Sequence, residues 1–274
     1  MCGRYTIVTK LSKIEKRFNV QADVPELYQP NTNVGPGYRA PVIASNYPDK
    51  LQFFEFGLTP SWAKKKMYWF NARSEGDHNK SDDPNYHGAK GIIEKPAFRK
   101  PIRSQRCLIP ADCFIEGPQK EKLSKPYVVY MKNNERPFAF AGIWDEWANR
   151  ETGEVSYSFS IITTVANPLL QKIGHHRSPV VLHPDHEKEW VDTSTDLGRI
   201  TELLEPYPHR EMNAYPIAPD IKSPRATGLD LLVPTGERLY KEYEYDLVQT
   251  LKLEGMGATT SRKRELGEQG KLEL

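Results

Sequence analysis

The second residue of this 274-residue chain is a cysteine, in the opening Met1-Cys2-Gly3-Arg4. A small second residue permits removal of the initiator Met, which would leave Cys2 with a free α-amine and a thiol on adjacent carbons. The amine would have a pKa of about 7.7–8 and the thiol about 8.5. An amine condenses with an aldehyde to a Schiff base, and the neighbouring thiol can then close onto the same carbon as a thiazolidine ring. The same terminus could instead be an attacking thiol whose own amine is the base, as in N-terminal-nucleophile hydrolases. A small residue at a chain end also has a bland explanation that needs no chemistry. The remainder of the chain must decide.

Three further groups of polar residues stand out. They are Asn71-Ala72-Arg73, Pro110-Ala111-Asp112-x-Phe114-x-Glu116 and His175-x-Arg177-x-Pro179. Singly, each has an ordinary reading: a turn amide, a carboxylate beside one of many arginines, a satisfied histidine. Their co-occurrence, in this order behind Cys2-Gly3-Arg4, shifts the balance toward one site.

These residues must be held by a scaffold, and composition bounds what it is. Hydrophobic residues make up 38% of the chain and charged residues 27%, which fits a globular protein with a core. Lys plus Arg (38) against Asp plus Glu (36) leaves a net charge of +2, so any polyanion must be met by a local groove. No apolar run approaches the roughly 18 residues that cross a bilayer, and residues 1–20 do not read as a signal peptide. An intracellular protein without membrane contact is expected. Three cysteines without C-x-x-C spacing argue against a disulfide framework and a structural zinc site. Cys107 and Cys113 read as buried free thiols. No metal and no organic cofactor is suggested, and a monomer is expected.

The periodicity is that of short strands. Tyr5–Val8, Pro41–Ala44, Leu51–Phe56, Arg106–Pro110, Cys113–Gly117, Tyr127–Met131, Phe138–Trp144 and Tyr157–Thr164 read as strands. Val180–Leu182, Asn213–Ile217 and Leu231–Pro234 add shorter ones. Leu11, Ile14 and Phe18 set a short amphipathic helix, and helical turns are expected over Asn167–Ile173, Asp185–Trp190 and Asp196–Glu205. Pro25–Pro41 reads as a surface loop, with a tight turn at Gly35-Pro36-Gly37, and 76–88 as an exposed loop. The fold class is therefore α+β: a single β-rich domain of mixed, barrel-like sheets with a few short peripheral helices. The main domain spans residues 1–235. Residues 236–254 form a C-terminal extension, and a disordered tail is expected over 255–274.

The ordered set of segments resembles the SOS-response-associated peptidase (SRAP) family, which shields abasic sites in DNA. The resemblance rests on Met1-Cys2-Gly3-Arg4, Asn33-Val34-Gly35-Pro36, Gly57-Leu58-Thr59-Pro60-Ser61-Trp62 and Asn71-Ala72-Arg73. It continues through Arg106-Cys107-Leu108-Ile109-Pro110-Ala111-Asp112, Ala141-Gly142-Ile143-Trp144-Asp145-Glu146-Trp147 and His175-His176-Arg177-Ser178-Pro179. It runs from residue 1 to about residue 235. It implies a stable thiazolidine crosslink between Cys2, freed of Met1, and the open-chain aldehyde of an abasic site in single-stranded DNA, in the DNA damage response. Abasic-site lyase activity through the Schiff base is a further implication. The alternatives are an N-terminal cysteine peptidase, at least for Met1 itself, and a non-covalent single-stranded DNA binder.

By the same resemblance Cys2, Asn71, Glu116 and His175 are the catalytic residues. Glu116 would accept a proton from the Cys2 ammonium. His175 would pass a proton to the opening sugar or the leaving hydroxyl, and Asn71 would hold the Cys2 backbone or the sugar. Arg4, Arg73 and Arg177 would contact phosphates, and Trp62 would stack on a base. Asn33 and Pro36 complete the expected DNA contacts, with Pro36 where paired DNA ends at a single-strand/double-strand junction. The chain departs from the family pattern at Ser178 (usually Met), Gly117 (usually aromatic) and Gly174 (usually Ile). The last leaves His175 and His176 as alternatives, with His175 keeping the two-residue offset to Arg177.

Overall fold

The computed structural model describes residues 2–132, 136–242 and 252. In chain order the strands of the first half are β1 (Tyr5–Ile7), β2 (Gln21–Ala22), β3 (Asn31–Val34), β4 (Arg39–Ala44), β5 (Lys50–Phe56), β6 (Asn71–Arg73) and β7 (Arg106–Ala111). The second half adds β8 (Cys113–Glu116), β9 (Tyr127–Met131), β10 (Phe138–Ala148), β11 (Val155–Val165), β12 (Arg177–Pro179), β13 (Val181–Leu182) and β14 (Met212–Pro216). Short helices α1 (Leu11–Phe18), α2 (Pro101–Ser104), α3 (Pro168–Ile173), α4 (Glu187–Val191) and α5 (Leu197–Glu202) flank the sheets. The expected α+β class, mixed sheets with few short helices, is the one observed.

One sheet is five-stranded, in the order β14-β9-β8-β1-β3. The other runs β12-β11-β10-β7-β4-β5-β2, and β5 also pairs in parallel with β11. That last pairing closes β11, β10, β7, β4 and β5 into a barrel. At the closure Phe159 lies opposite Phe56, and their rings stack with centroids 5.1 Å apart. Burying such a ring contributes roughly 1.5–3 kcal/mol, so the seam is held by apolar contact as well as by hydrogen bonds.

Between β7 and β8 stands one residue, Asp112, at which the chain changes sheets. Its carboxylate accepts from the Val8 and Thr9 main-chain N–H groups at 2.6 and 2.9 Å and from the Thr9 hydroxyl. Burial pushes its pKa up and these donors oppose the rise. β8 is then buried on both faces. Phe114 points into the barrel core, while Cys113 and Ile115 meet Val128, Tyr130, Tyr215 and Leu232 in a second cluster. This alternation fixes which side of β8 carries Glu116.

Three expectations change. The Pro25–Pro41 stretch is not all loop: β3 lies inside it, buried along its length. Its side chains Asn31, Thr32 and Asn33 are polar, so no apolar alternation signals it. Leu231–Pro234 is not a strand; a 3-10 turn covers Leu229–Leu232. The 76–88 segment is not simply exposed, since Asn79 is buried and ties the loop to Asp83. Cys2, Cys107 and Cys113 are free and buried. Within the stretch expected as a C-terminal extension, Leu239 packs on β14, its N–H on the Ala214 oxygen at 2.8 Å. The expected tail lies outside the described residues. Among the described residues no helix is long and apolar enough to cross a membrane.

Candidate active site

Antiparallel pairing sets the site's first contact. β1 and β8 register Tyr5 on Phe114 and Thr6 on Cys113, and the Ile115 N–H donates to the Arg4 oxygen at 3.0 Å. Continued backwards, this register carries the chain start alongside Glu116. Cys2 is 1% exposed, and the Glu116 carboxylate interacts with its thiol. Burial, and after it Glu116, push the Cys2 thiol well above its ordinary value, so it is held as a thiol rather than a thiolate.

Asn71 arrives from the barrel. β6 adds in parallel to β11 with Asn71 opposite Ile161. The Asn71 amide nitrogen donates to the Cys2 oxygen at 3.0 Å and to the Phe70 oxygen at 3.0 Å. Its side-chain oxygen is buried and has no hydrogen-bond partner among the described residues.

His175 is delivered by a helix end. Asn167 caps α3, accepting from the Leu170 N–H at 3.0 Å, with Pro168 in the first turn. Gly174 ends the helix at φ +85°, a left-handed position that favours glycine. Its N–H reaches the Gln171 oxygen and the next N–H, that of His175, reaches the Leu170 oxygen at 2.8 Å, a Schellman pair. The glycine that departs from the family pattern thus fixes where His175 begins. The imidazole Nδ1 lies 2.7 Å from the Gly117 oxygen, and Nε2 lies 3.2 Å from Glu116 Oε2. A carbonyl only accepts, so Nδ1 carries a proton and Nε2 faces the carboxylate.

The environment moves both members of that pair. Burial lifts Glu116 to about 7, and burial pulls His175 down to about 4. Near neutral pH a carboxyl close to half-ionised therefore faces a neutral imidazole, an arrangement suited to holding and moving one proton. His176 points elsewhere, with Nε2 3.9 Å from Asp82 Oδ2. Of the two histidines, His175 is the one at Glu116.

Glu116 and His175 open onto a cleft of about 400 Å3, lined also by Gly3, Arg4, Pro36, Phe70, Gln119, Lys122 and His176, among others, while Cys2 is buried beside it. Arg4 is partly buried, and no carboxylate pairs with it among the described residues. Burial lowers its pKa. A Cβ at Gly35 would sit 1.4 Å from Arg4 Nη1, so the glycine is what lets the guanidinium through. Pro36 lies on the cleft wall. Trp62 is 52% exposed, its ring edge-on to Trp69 at 6.1 Å, and it is not among the cleft-lining residues. Arg73 is part-exposed and bonds to Asp82 at 2.6 Å.

Two of the expected DNA contacts are buried and bonded to protein groups in this structure. Asn33 is 2% exposed, and its amide donates to the Ser223 and Ala226 oxygens at 2.8 and 3.1 Å, tying down a late loop. Arg177 is 2% exposed, and its guanidinium grips Glu75 through two bonds of 3.0 and 2.7 Å. Burial of charge requires such a partner, which makes Arg177 a buried organiser in this conformation. Glu75 is the residue that sequence reasoning did not assign. Its signal was a carboxylate two positions after Arg73, with a second arginine to be paired. Among the described residues no cluster of three or more His, Cys, Asp or Glu side chains is placed to hold a metal ion.

Comparison with known proteins is consistent with this geometry. Residues 1–224 match the family model described as SOS response associated peptidase (SRAP). Over 239 residues the chain is 35% identical to the abasic site processing protein YoqW of Bacillus subtilis (strain 168), covering 85% of this chain and 99% of the relative. It is 26% identical over 240 residues to the abasic site processing protein HMCES of Gallus gallus, covering 76% of this chain and 67% of that one. A crystal structure of a protein from Bacteroides thetaiotaomicron superposes with a TM-score of 0.72 at 31% identity, covering 85% of this chain and 100% of the other.

Proposed function

Because the chain belongs to the SOS response associated peptidase (SRAP) family, we propose that it captures abasic sites in single-stranded DNA as a covalent crosslink through Cys2. The observation that carries this reading is convergence. Cys2, Asn71, Glu116 and His175, remote in sequence, form one contiguous chain of contacts, and Glu116 and His175 open from it onto the cleft.

With Met1 removed, the Cys2 ammonium gives a proton to Glu116, and the free amine attacks the open-chain aldehyde carbon. The carbinolamine loses water as its hydroxyl takes a proton from the Glu116–His175 pair, leaving a Schiff base. The Cys2 thiol then adds across the C=N bond: sulfur bonds to carbon, and the nitrogen ends as a protonatable ring amine. A thiol held protonated by burial suits this order, with amine first and sulfur second. The same burial disfavours a thiolate-first peptidase at neutral pH, because the thiolate is the nucleophile there. Asn71 would orient the Cys2 backbone, and its open oxygen would receive the amine or a sugar hydroxyl. Arg4 would hold a phosphate, Pro36 would bound the single-stranded segment at a junction, and Trp62 would offer a stacking face outside the cleft. Lyase chemistry would diverge from the Schiff base.

The test is a single-stranded oligonucleotide with one abasic site, incubated with wild type and Cys2→Ala and run on a denaturing gel. A band present only with wild type, mapping by peptide mass spectrometry to an N-terminal Cys2 lacking Met1, is expected. No band from protein confirmed to have lost Met1 would overturn the reading.

A further inference from the structure

Beside the cleft, one carboxylate sits among three nitrogen groups that suit a phosphate better than an aspartate. Asp82 Oδ1 lies 2.6 Å from Arg73 Nη2 and 3.5 Å from Arg177 Nη1. Oδ2 lies 3.9 Å from His176 Nε2, and His176 itself lines the cleft next to His175. Asp82 is presented at φ +56°, a left-handed backbone that aspartate tolerates better than most residues. The loop is braced from within by Asn79, whose side chain exchanges hydrogen bonds of 3.0 and 2.9 Å with the Asp83 backbone.

The two acids of this cluster are not equivalent. Glu75 is 1% exposed and holds Arg177 from the protein side. The Asp82 side chain is 21% exposed and caps Arg73, itself 31% exposed, from the solvent side. Removing Glu75 would leave a buried arginine without its partner. Moving Asp82 away would leave Arg73 Nη2, Arg177 Nη1 and His176 Nε2 converging on an open position, and because Glu75 offsets only one of the two guanidinium charges the position keeps a net positive balance that suits a phosphate oxyanion.

We propose that Asp82 occupies the place of a nucleic-acid phosphate and acts as a built-in competitor that an entering strand must displace. This rests on the reading of the cleft as a DNA site, and it adds a regulation that the reading does not contain. The loop's carboxylate keeps the anion site closed to solitary small anions, and a strand held elsewhere in the cleft overcomes it through its local concentration.

Inorganic phosphate is the probe, titrated by calorimetry at constant ionic strength into wild type, Asp82→Asn and the double variant Asp82→Asn/Arg73→Gln. Asp82→Asn is expected to bind phosphate about tenfold more tightly than wild type, and the double variant to lose that gain. Equal phosphate affinity in wild type and Asp82→Asn, including no binding by either, overturns the proposal. So does a gain that survives Arg73→Gln. An Asp82→Asn protein that is unfolded at the assay temperature also overturns it, since a displaceable group cannot be one on which the fold depends. Because phosphate replaces abasic DNA in this experiment, its outcome is independent of whether the crosslink forms.

Discussion

The imidazole of His175 links two consecutive residues at the end of one strand, with Nδ1 2.7 Å from the Gly117 oxygen and Nε2 3.2 Å from Glu116 Oε2. The main-chain contact fixes the tautomer, and the tautomer turns a lone pair toward the carboxyl. Glu116, lifted by burial to about 7, is then the group whose ionisation switches the pair near neutral pH.

A pH–rate profile follows from this. The crosslinking rate with abasic single-stranded DNA should rise through about pH 7 as Glu116 ionises and can take the Cys2 proton. In Glu116→Gln the rate should fall by roughly 10²–10⁴. The remaining limb should move to that of the α-amine, about 7.7–8. Single-turnover gels across pH 5 to about 9 check it; an unchanged limb in Glu116→Gln would remove Glu116 from the proton path.

Cys2→Ser separates the two steps of ring formation. The amine remains, so a Schiff base forms and borohydride should trap it on the DNA. Without a thiol to close the ring, no heat-stable crosslink should survive when borohydride is omitted. A stable untrapped crosslink from Cys2→Ser would count against the thiazolidine. Blocking Met1 removal turns the Cys2 amine into an amide and should abolish both products.

Glu75 and Arg177 form a buried pair whose disruption should cost stability. Glu75→Gln leaves the buried Arg177 charge with only the more distant Asp82 carboxylate, 3.5 Å from Nη1, and is expected to destabilise by up to about 3–5 kcal/mol. Burial raises the Glu75 pKa, but the hydrogen bonds and charge of Arg177 outweigh it and hold the group below its ordinary value. A depressed carboxylate stabilises above the ordinary Glu range and loses that contribution as pH falls through the depressed value. The gap in melting temperature between wild type and Glu75→Gln should therefore be full at pH 7 and shrink in acid. A gap that widens in acid would contradict this account.

How much of this was legible in the sequence depends on the range of the interactions. Strands whose burial is apolar, such as β7, β10 and β11, show in the chain itself because alternation and β-branched runs are local signals. The candidate set Cys2, Asn71, Glu116 and His175 was visible only as an ordered group of short segments, since no single spacing places Cys2 beside Glu116. That proximity comes from an antiparallel register between segments more than a hundred residues apart. β3 was missed because its buried residues are polar and are satisfied by long-range partners, as Asn33 is by the Ser223 and Ala226 oxygens. In sequence Arg177 reads as a phosphate contact, and nothing in its motif signals that it also holds a buried carboxylate. Glu75 supplies that carboxylate only once β6 lies beside β11 and brings Arg73 and Thr163 into register.

Two glycines in the site should respond in opposite ways to an added methyl. At Gly117 a Cβ would meet the Lys122 main-chain oxygen at 1.9 Å and the Lys125 oxygen at 2.9 Å. Neither can yield without moving the 117–125 loop, which forms one cleft wall and carries the oxygen that orients His175. Gly117→Ala should therefore lower the melting temperature and impair crosslinking together. At Gly35 the nearest atoms belong to the far end of the Arg4 side chain, with Nη1 at 1.4 Å. A flexible guanidinium can swing aside, so Gly35→Ala should leave stability within about 1 kcal/mol of wild type. The cost should fall on DNA instead: weaker binding of undamaged single strands, with a shallower salt dependence by about 0.7 in the log–log slope if one phosphate contact is lost. Melting curves and salt-titrated binding on the same two variants decide it. Loss of stability at Gly35 with an unchanged salt slope would mean that Arg4 holds the fold and not a phosphate.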